Sequence, residues 1–345
     1  MSTERSDPAA NVGAECRASG IRVLHVNDAA DTARNLTAVA RAAGQPWDLF
    51  AKASERTGWT GPRAQAQRAA IGAMWVARLA VAARRHDIVH VHSASTVAHS
   101  RFATRRYVVH CHGTDVRTAQ YRYPDGGIIR KSLREAEFVF YATPDLAEHV
   151  LPYRGDAELL PVPIRTDLLP RWTGADVHGR PRIAFAARWG EEKNATAMLE
   201  CAAGLIAVLG DRAEIAGLDW GGRAAEAAQL GVRLYPRMDH PGYLRWLADS
   251  LVVIGQGTGS LGASELEAMG TGVPFAVPAP LTGYPQAPPL LAGSVPATLE
   301  AVAALVADPA TYDPAPIRGW VVDHHDAARG VAQLNRVYPT VLAAR

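Results

Sequence analysis

The chain has 345 residues, 48% of them hydrophobic and 20% charged, with a formal net charge of +2. That length suits two α/β domains, each with its own core, and the composition excludes a disordered chain. So balanced a charge argues against nucleic acid as a partner, while a small anionic ligand stays open.

Cys16, Cys111 and Cys201 lie far apart without a CxxC pair. This predicts a reducing, cytoplasmic setting rather than a disulfide framework or zinc ribbon. Residues 1–20 read as a loose polar tail, lacking the basic start and apolar core of a signal peptide. No stretch reaches the roughly eighteen apolar residues of a membrane span, and the longest candidate, Ala69 to Ala83, carries Arg78. Any membrane contact is expected to be peripheral. Nothing in the pattern speaks to oligomeric state.

Short β-branched runs then alternate with helical stretches. Strands are predicted at Ile21–Val26, Trp47–Phe50, Ile88–His92, Val108–His112, Phe138–Ala142 and Glu158–Pro161. Helices are predicted at Thr32–Ala43, in a long run ending near Arg85, and at Ile128–Glu135. A segment rich in Pro and Gly, Pro163 to Pro181, reads as an interdomain linker. The alternation restarts with strands at Ile183–Ala187, Ala213–Gly217, Val232–Tyr235, Leu251–Ile254 and Phe275–Val277, and helices at Ala195–Leu209, Ala224–Leu230, Pro241–Ala248 and Ser264–Met269. A proline-dense loop, Pro278 to Pro289, precedes a last helix over Ala327–Ala344. Such order predicts two doubly wound parallel sheets. The domains are set at 21–165 and 166–318, with a C-terminal helical segment at 319–345. Ligands of such sheets lie beyond the carboxyl ends of the strands, so a cleft between two facing sheets is the expected place for chemistry.

Three groups of residues carry that chemistry. The first follows Phe185 and contains Arg188 and Lys193. A cation at a strand exit and another at a helix start, with free N–H groups beside them, suit a diphosphate without a metal ion. A surface cluster with Glu191 and Glu192 is the alternative. The second is the Gly-rich loop from Gly255 through Gly259, Ser260, Leu261 and Gly262, which leads into a helix bearing Glu267. Glycines admit a ligand close to backbone amides, and an acid on that helix can accept from a ribose diol, unless it is a plain solvent-facing acid. No Gly-Lys-Ser/Thr follows, so the loop is not a Walker loop.

The third group is histidine. His90 and His92 alternate on one strand and His110 and His112 on the next. Buried parallel strands without a carboxylate ligand favour structural imidazoles over zinc, and no metal or cofactor is expected. His112 is the exception, because Gly113, Thr114 and Asp115 follow it at a strand's end, where its ring can reach a sugar. Asp115 and Arg117 can hold the sugar or an acceptor, or Asp115 can cap its loop. Asn27 and Asp28 leave the first strand in a comparable place. Arg101, Arg105 and Arg106 fit either an anionic acceptor or a solvated turn.

Together these segments resemble glycosyltransferase family 4, over nearly the whole chain from Ile21. The likeness rests on Asp87-Ile-Val-His-Val-His92, Val108-Val-His-Cys-His112-Gly-Thr-Asp115, the spacing of Arg188 and Lys193, and Leu266-Glu267-Ala-Met-Gly-Thr-Gly-Val-Pro274. It implies the GT-B fold, with 319–345 packing back on the first domain, and retaining, metal-independent transfer from a nucleotide diphosphate sugar to a small-molecule, lipid or glycan acceptor. It also implies that Arg188 and Lys193 grip the diphosphate, that Glu267 binds the ribose, and that Gly259 to Gly262 offer amides. Pro236 to Asp239, including Arg237 and Met238, would lie by the base. The chain departs from the family at Gly259, where an acid is usual, at Asn194, where Gly is usual, and at Asn27 to Ala30, where a Gly-Gly loop is common. A GT-B protein that binds without turnover, or a sugar-nucleotide epimerase, are the other readings of the same fold.

Overall fold

The structure, a computed structural model, describes residues 20–51, 61–122, 124–174 and 179–345. The expected tail, with Cys16, lies outside the described residues apart from Gly20. The chain divides into two compact units, residues 1–163 with 327–345, and residues 164–326.

The sheet of the first unit contains β1 (Val23–Val26), β2 (Trp47–Phe50), β3 (Ile88–His92), β4 (Val108–Cys111), β5 (Phe138–Tyr141) and β6 (Glu158–Leu159), all parallel in the order β2-β1-β3-β4-β5-β6. Every residue of β1, β3 and β4 is buried, the signature of strands covered on both faces. Helices α1 (Thr32–Ala42), α2 (Pro62–Ala83) and α3 (Asp125–Glu135) connect them. The last helix of the chain, α10 (Ala327–Ala343), belongs to this unit. Its stripe of Val331, Leu334, Val337, Tyr338 and Val341 packs with Leu36, Ala40, Trp47 and Phe140. Gly330 lets it approach α1, since a Cβ there would lie 2.9 Å from Leu36.

The second unit contains β7 (Arg182–Phe185), β8 (Glu214–Leu218), β9 (Arg233–Tyr235), β10 (Val252–Ile254) and β11 (Phe275–Ala276), parallel in the order β11-β10-β7-β8-β9. Its helices are α4 (Ala195–Leu209), α5 (Ala224–Leu230), α6 (His240–Ala248), α7 (Ala263–Thr271), α8 (Val295–Ala307) and α9 (Ala315–His325). The core gathers Ile183, Phe185, Trp189, Met198, Leu205 and Ile254. Gly217 on β8 makes room for the Trp189 indole, which a Cβ would meet at 2.8 Å.

Two boundaries differ from the pattern in the sequence. The second unit begins at Ile164, and the partly buried Trp172 packs on its core, so the predicted linker is largely part of that unit. The return to the first unit falls at Ala327 rather than residue 319. Helix α9 stays with the second unit because Val321 is buried against α7, and Arg318 Nη1 donates to the Gly270 carbonyl at 2.5 Å. Among the described residues, no helix is long and apolar enough to cross a membrane.

Candidate functional site

Strand order locates the sites. In the second unit the chain runs from β7 outward through β8 and β9, then returns to place β10 on the other side of β7. Loops leaving β7 and β10 therefore diverge at a topological switch point, where open α/β sheets hold ligands. Arg188 and Lys193 leave β7, and the Gly-rich loop leaves β10. The fold thus brings together two segments separated by more than fifty residues of sequence.

Lys193 ends a short 3-10 turn, and its Nζ lies 2.5 Å from Gln256 Oε1. Gln256 in turn donates to the Ser260 carbonyl at 2.6 Å. Asn194 adopts a left-handed conformation, with φ 55° and ψ 58°. Its side chain donates to the Gly257 carbonyl at 2.8 Å, and Gly257 N donates to the Lys193 carbonyl at 3.1 Å. Asn tolerates this conformation and adds a bond that Gly cannot make. Arg188 pairs with Glu192 and lies over the Trp220 ring, 5.3 Å from its centroid.

Gly259 has φ +74°, its carbonyl accepts from Thr282 N at 3.0 Å, and a Cβ would sit 3.4 Å from the Pro280 carbonyl oxygen. An acid at that position would be held in a backbone conformation that side chains disfavour. The neighbouring amides are already engaged. Leu261 N donates to Tyr284 Oη at 2.9 Å, and Gly262 N to Glu265. Glu265 also accepts from Gln256 N and is pushed above the ordinary carboxylate range by burial, against the opposing field of Lys193.

Nothing in the spacing singled out Glu265, because only the fold shows that it ties both ends of the Gly-rich loop. Glu265→Ala strands two amide donors and is expected to cost about 2–5 kcal/mol. Urea unfolding checks this: an unchanged midpoint would mean the loop does not depend on that carboxylate.

Glu267 is buried on α7, and its Oε1 lies 2.7 Å from His240 Nε2. His240 opens α6 directly after Arg237, Met238 and Asp239, and Asp239 caps that helix by accepting from Gly242 N at 2.8 Å. The segment expected by the base thus adjoins Glu267 through an imidazole that sequence spacing did not identify. Arg237 lies over Trp220 at 4.4 Å, so this half-exposed indole carries both Arg237 and Arg188.

The first unit has its own switch point between β1 and β3. Asn27 leaves β1 with φ 71° and donates to the His92 carbonyl at 2.9 Å and to Thr96 Oγ1 at 3.2 Å. Asp28 accepts from Arg34 N at 3.3 Å, and burial raises its pKa. His112 follows β4, half-buried, and burial lowers its pKa to about 4 despite the nearby Asp115. Asp115 spends its carboxylate on backbone amides: Ala94 N at 2.7 Å, His112 N at 3.1 Å, and Gly113 N and Val116 N at 3.0 Å. It thereby caps the loop that sets His112. Arg117 pairs with Asp145, with Nε donating at 3.0 Å.

No protein-family model and no characterised protein sequence matches the chain. Solved structures do. Anabaena HepE in complex with UDP and glucose aligns with TM-score 0.67 at 11% identity, covering 93% of this chain and all of that one. AviGT4, a glycosyltransferase involved in avilamycin A biosynthesis, aligns with TM-score 0.58 at 16% identity over 94% of this chain and 99% of its own. The UDP-GlcNAc 2-epimerase from Neisseria meningitidis bound to UDP-GlcNAc aligns with TM-score 0.55 at 12% identity over 94% of this chain and all of that one. The chain has the GT-B fold, two Rossmann-like units with wholly parallel sheets.

Proposed function

We propose that the chain is a retaining glycosyltransferase using a nucleotide diphosphate sugar. The observation that carries this reading is the placement of the Lys193 ammonium against the Gly-rich loop at the β7/β10 switch point, with Glu267 on the helix that follows. Lys193 and Arg188 neutralise the diphosphate, so that site needs no metal ion. Glu267 accepts from the ribose diol, with His240 as its present partner, and Arg237, Met238 and Trp220 lie toward the base. Leu261, Ser260 and Gly262 keep the loop backbone close to the phosphates.

During transfer the bond from the anomeric carbon to the phosphate oxygen breaks, and the acceptor oxygen bonds the same face of the sugar. The acceptor's proton passes to the departing phosphate, so no protein base is required. His112, at the exit of β4, is the group of the first unit that we assign to a sugar hydroxyl. The resemblance to HepE, solved with UDP and glucose, supports a sugar nucleotide as donor, and the widely spaced cysteines support a cytoplasmic setting.

A panel of nucleotide sugars with mixed acceptors tests the reading by nucleotide release. Turnover that requires acceptor and is lost in Glu267→Ala supports it. Binding without turnover for every pair would make the chain a binding protein of the same fold. Interconversion of the free sugar nucleotide would move it to the epimerases, whose structures share its architecture.

A further inference from the structure

Five imidazoles share one face of the first unit's sheet: His25 on β1, His90 and His92 on β3, His110 on β4 and His112 just beyond it. The register sets His25 opposite His90, and His92 opposite His110. His25, His90, His92 and His110 are fully buried. Spacing along the sequence gives two pairs. Only the paired strands show that His92, His110 and His112 each bring a ring nitrogen within 4.8 Å of the other two.

We propose that His92, His110 and His112 form a binding site for a divalent transition-metal ion of the zinc type. The proton positions support it. His110 Nε2 lies 3.1 Å from the Leu160 carbonyl, which can only accept, so that nitrogen carries the proton. In the neutral ring this leaves Nδ1 with a bare lone pair. That nitrogen is buried and has no hydrogen-bond partner. A buried acceptor left unsatisfied is costly, and a metal ion satisfies it.

His92 differs, since both its ring nitrogens face other imidazoles and its proton can sit on either. Its Nε2 lies 2.9 Å from His25 Nδ1, and its Nδ1 faces His112 Nε2 at 3.2 Å. Two imidazole nitrogens bound tetrahedrally to zinc stand about 3.3 Å apart, given metal–nitrogen distances of about 2.0–2.1 Å. The Leu160 carbonyl and the His25 ring are the outer partners that orient the ligand rings. His112 is half-buried, so the fourth position is reachable by water. Asp115 is held by backbone amides and stays outside the ligand set. With Nε2 on the metal, the His112 proton is confined to Nδ1, which makes that nitrogen a fixed donor. The site is distinct from the diphosphate site of the second unit and does not depend on the activity proposed above.

Cobalt(II) is the probe, added to the tag-free full chain after chelator treatment. The expected result is the intense visible spectrum of tetrahedral cobalt, saturating at about one equivalent. His110→Phe is expected to abolish it with the far-ultraviolet circular dichroism unchanged, and His90→Phe is expected to retain it. If His110→Phe does not fold, His112→Ala at the strand exit gives the second reading. Cobalt affinity should then fall by more than about 100-fold, beyond the loss of an outer partner alone. No tetrahedral spectrum in the wild type would overturn the proposal, as would uptake lost in His90→Phe and kept in His110→Phe. Because the readout uses no sugar donor, its failure leaves the glycosyltransferase reading standing, and the reverse also holds.

Discussion

Lys193→Ala is expected to lower kcat/KM about 10²- to 10³-fold with any accepted nucleotide sugar, equivalent to about 3–4 kcal/mol of lost transition-state stabilisation. The ammonium stands against the Gly-rich loop, and Gln256 Oε1 occupies it at 2.5 Å until an anion replaces that weaker neutral acceptor. Negative charge grows on the phosphate as the glycosidic bond breaks, so the contact strengthens along the reaction and its loss falls on kcat as well as KM. Lys193→Arg should recover part of the activity. Calorimetric titration separates charge from shape: affinity for a nucleoside diphosphate should drop sharply, and affinity for the nucleoside should stay. Equal diphosphate affinity in wild type and Lys193→Ala would sink the assignment of this site.

The first unit is expected to unfold on mild acidification, between about pH 6 and pH 4.5. Burial is the first cause that depresses His25, to about 3, and that holds His90, His92 and His110 well below the ordinary imidazole range. Neighbouring imidazoles add to it for the last three. A folded pKa below the unfolded one means that the unfolded chain binds more protons once pH falls below about 6.5. Stability is therefore intact above that pH and lost as pH falls through the window. Four such rings give a slope of about 5 kcal/mol per pH unit. That exhausts a typical domain stability of about 5–15 kcal/mol within a few pH units.

Chelator-treated protein, melted from pH 7.5 to 4.5, tests this. His90→Phe, which removes one titrating ring beside Tyr338, should flatten the slope by about 1.4 kcal/mol per pH unit. A melting temperature flat from pH 7 to pH 5 would show that these rings are protonated in the fold.

Much of the architecture is legible without coordinates. Short apolar runs such as those ending at Phe185 and Ile254 announce buried parallel strands, which are covered on both faces. Helix α8, Val-Pro-Ala-Thr-Leu-Glu-Ala-Val-Ala-Ala-Leu-Val-Ala, was not legible. Its alanine-rich sequence is apolar nearly all round, so no period marks its buried face. Helix α9 escaped for a related reason, since the return of the chain to the first unit depends on what packs against Val321 rather than on a local signal. Arg188, Lys193 and Glu267 stood out by type and spacing. Trp220, His240 and Glu265 did not, because each acts through a contact that only the folded backbone makes.

By itself, the sequence determined the α/β class, the two-domain division and the loops that carry charge and glycine at strand ends. These follow from local periodicity and from residue chemistry, which a chain displays before it folds. The tertiary structure decided which loops meet. Strand order placed Lys193 beside Gln256, register brought the imidazoles of β3 and β4 together with His112, and backbone amides gathered on the Asp115 carboxylate. Strand order and register are set by the packing of whole faces, so no local stretch of sequence encodes them.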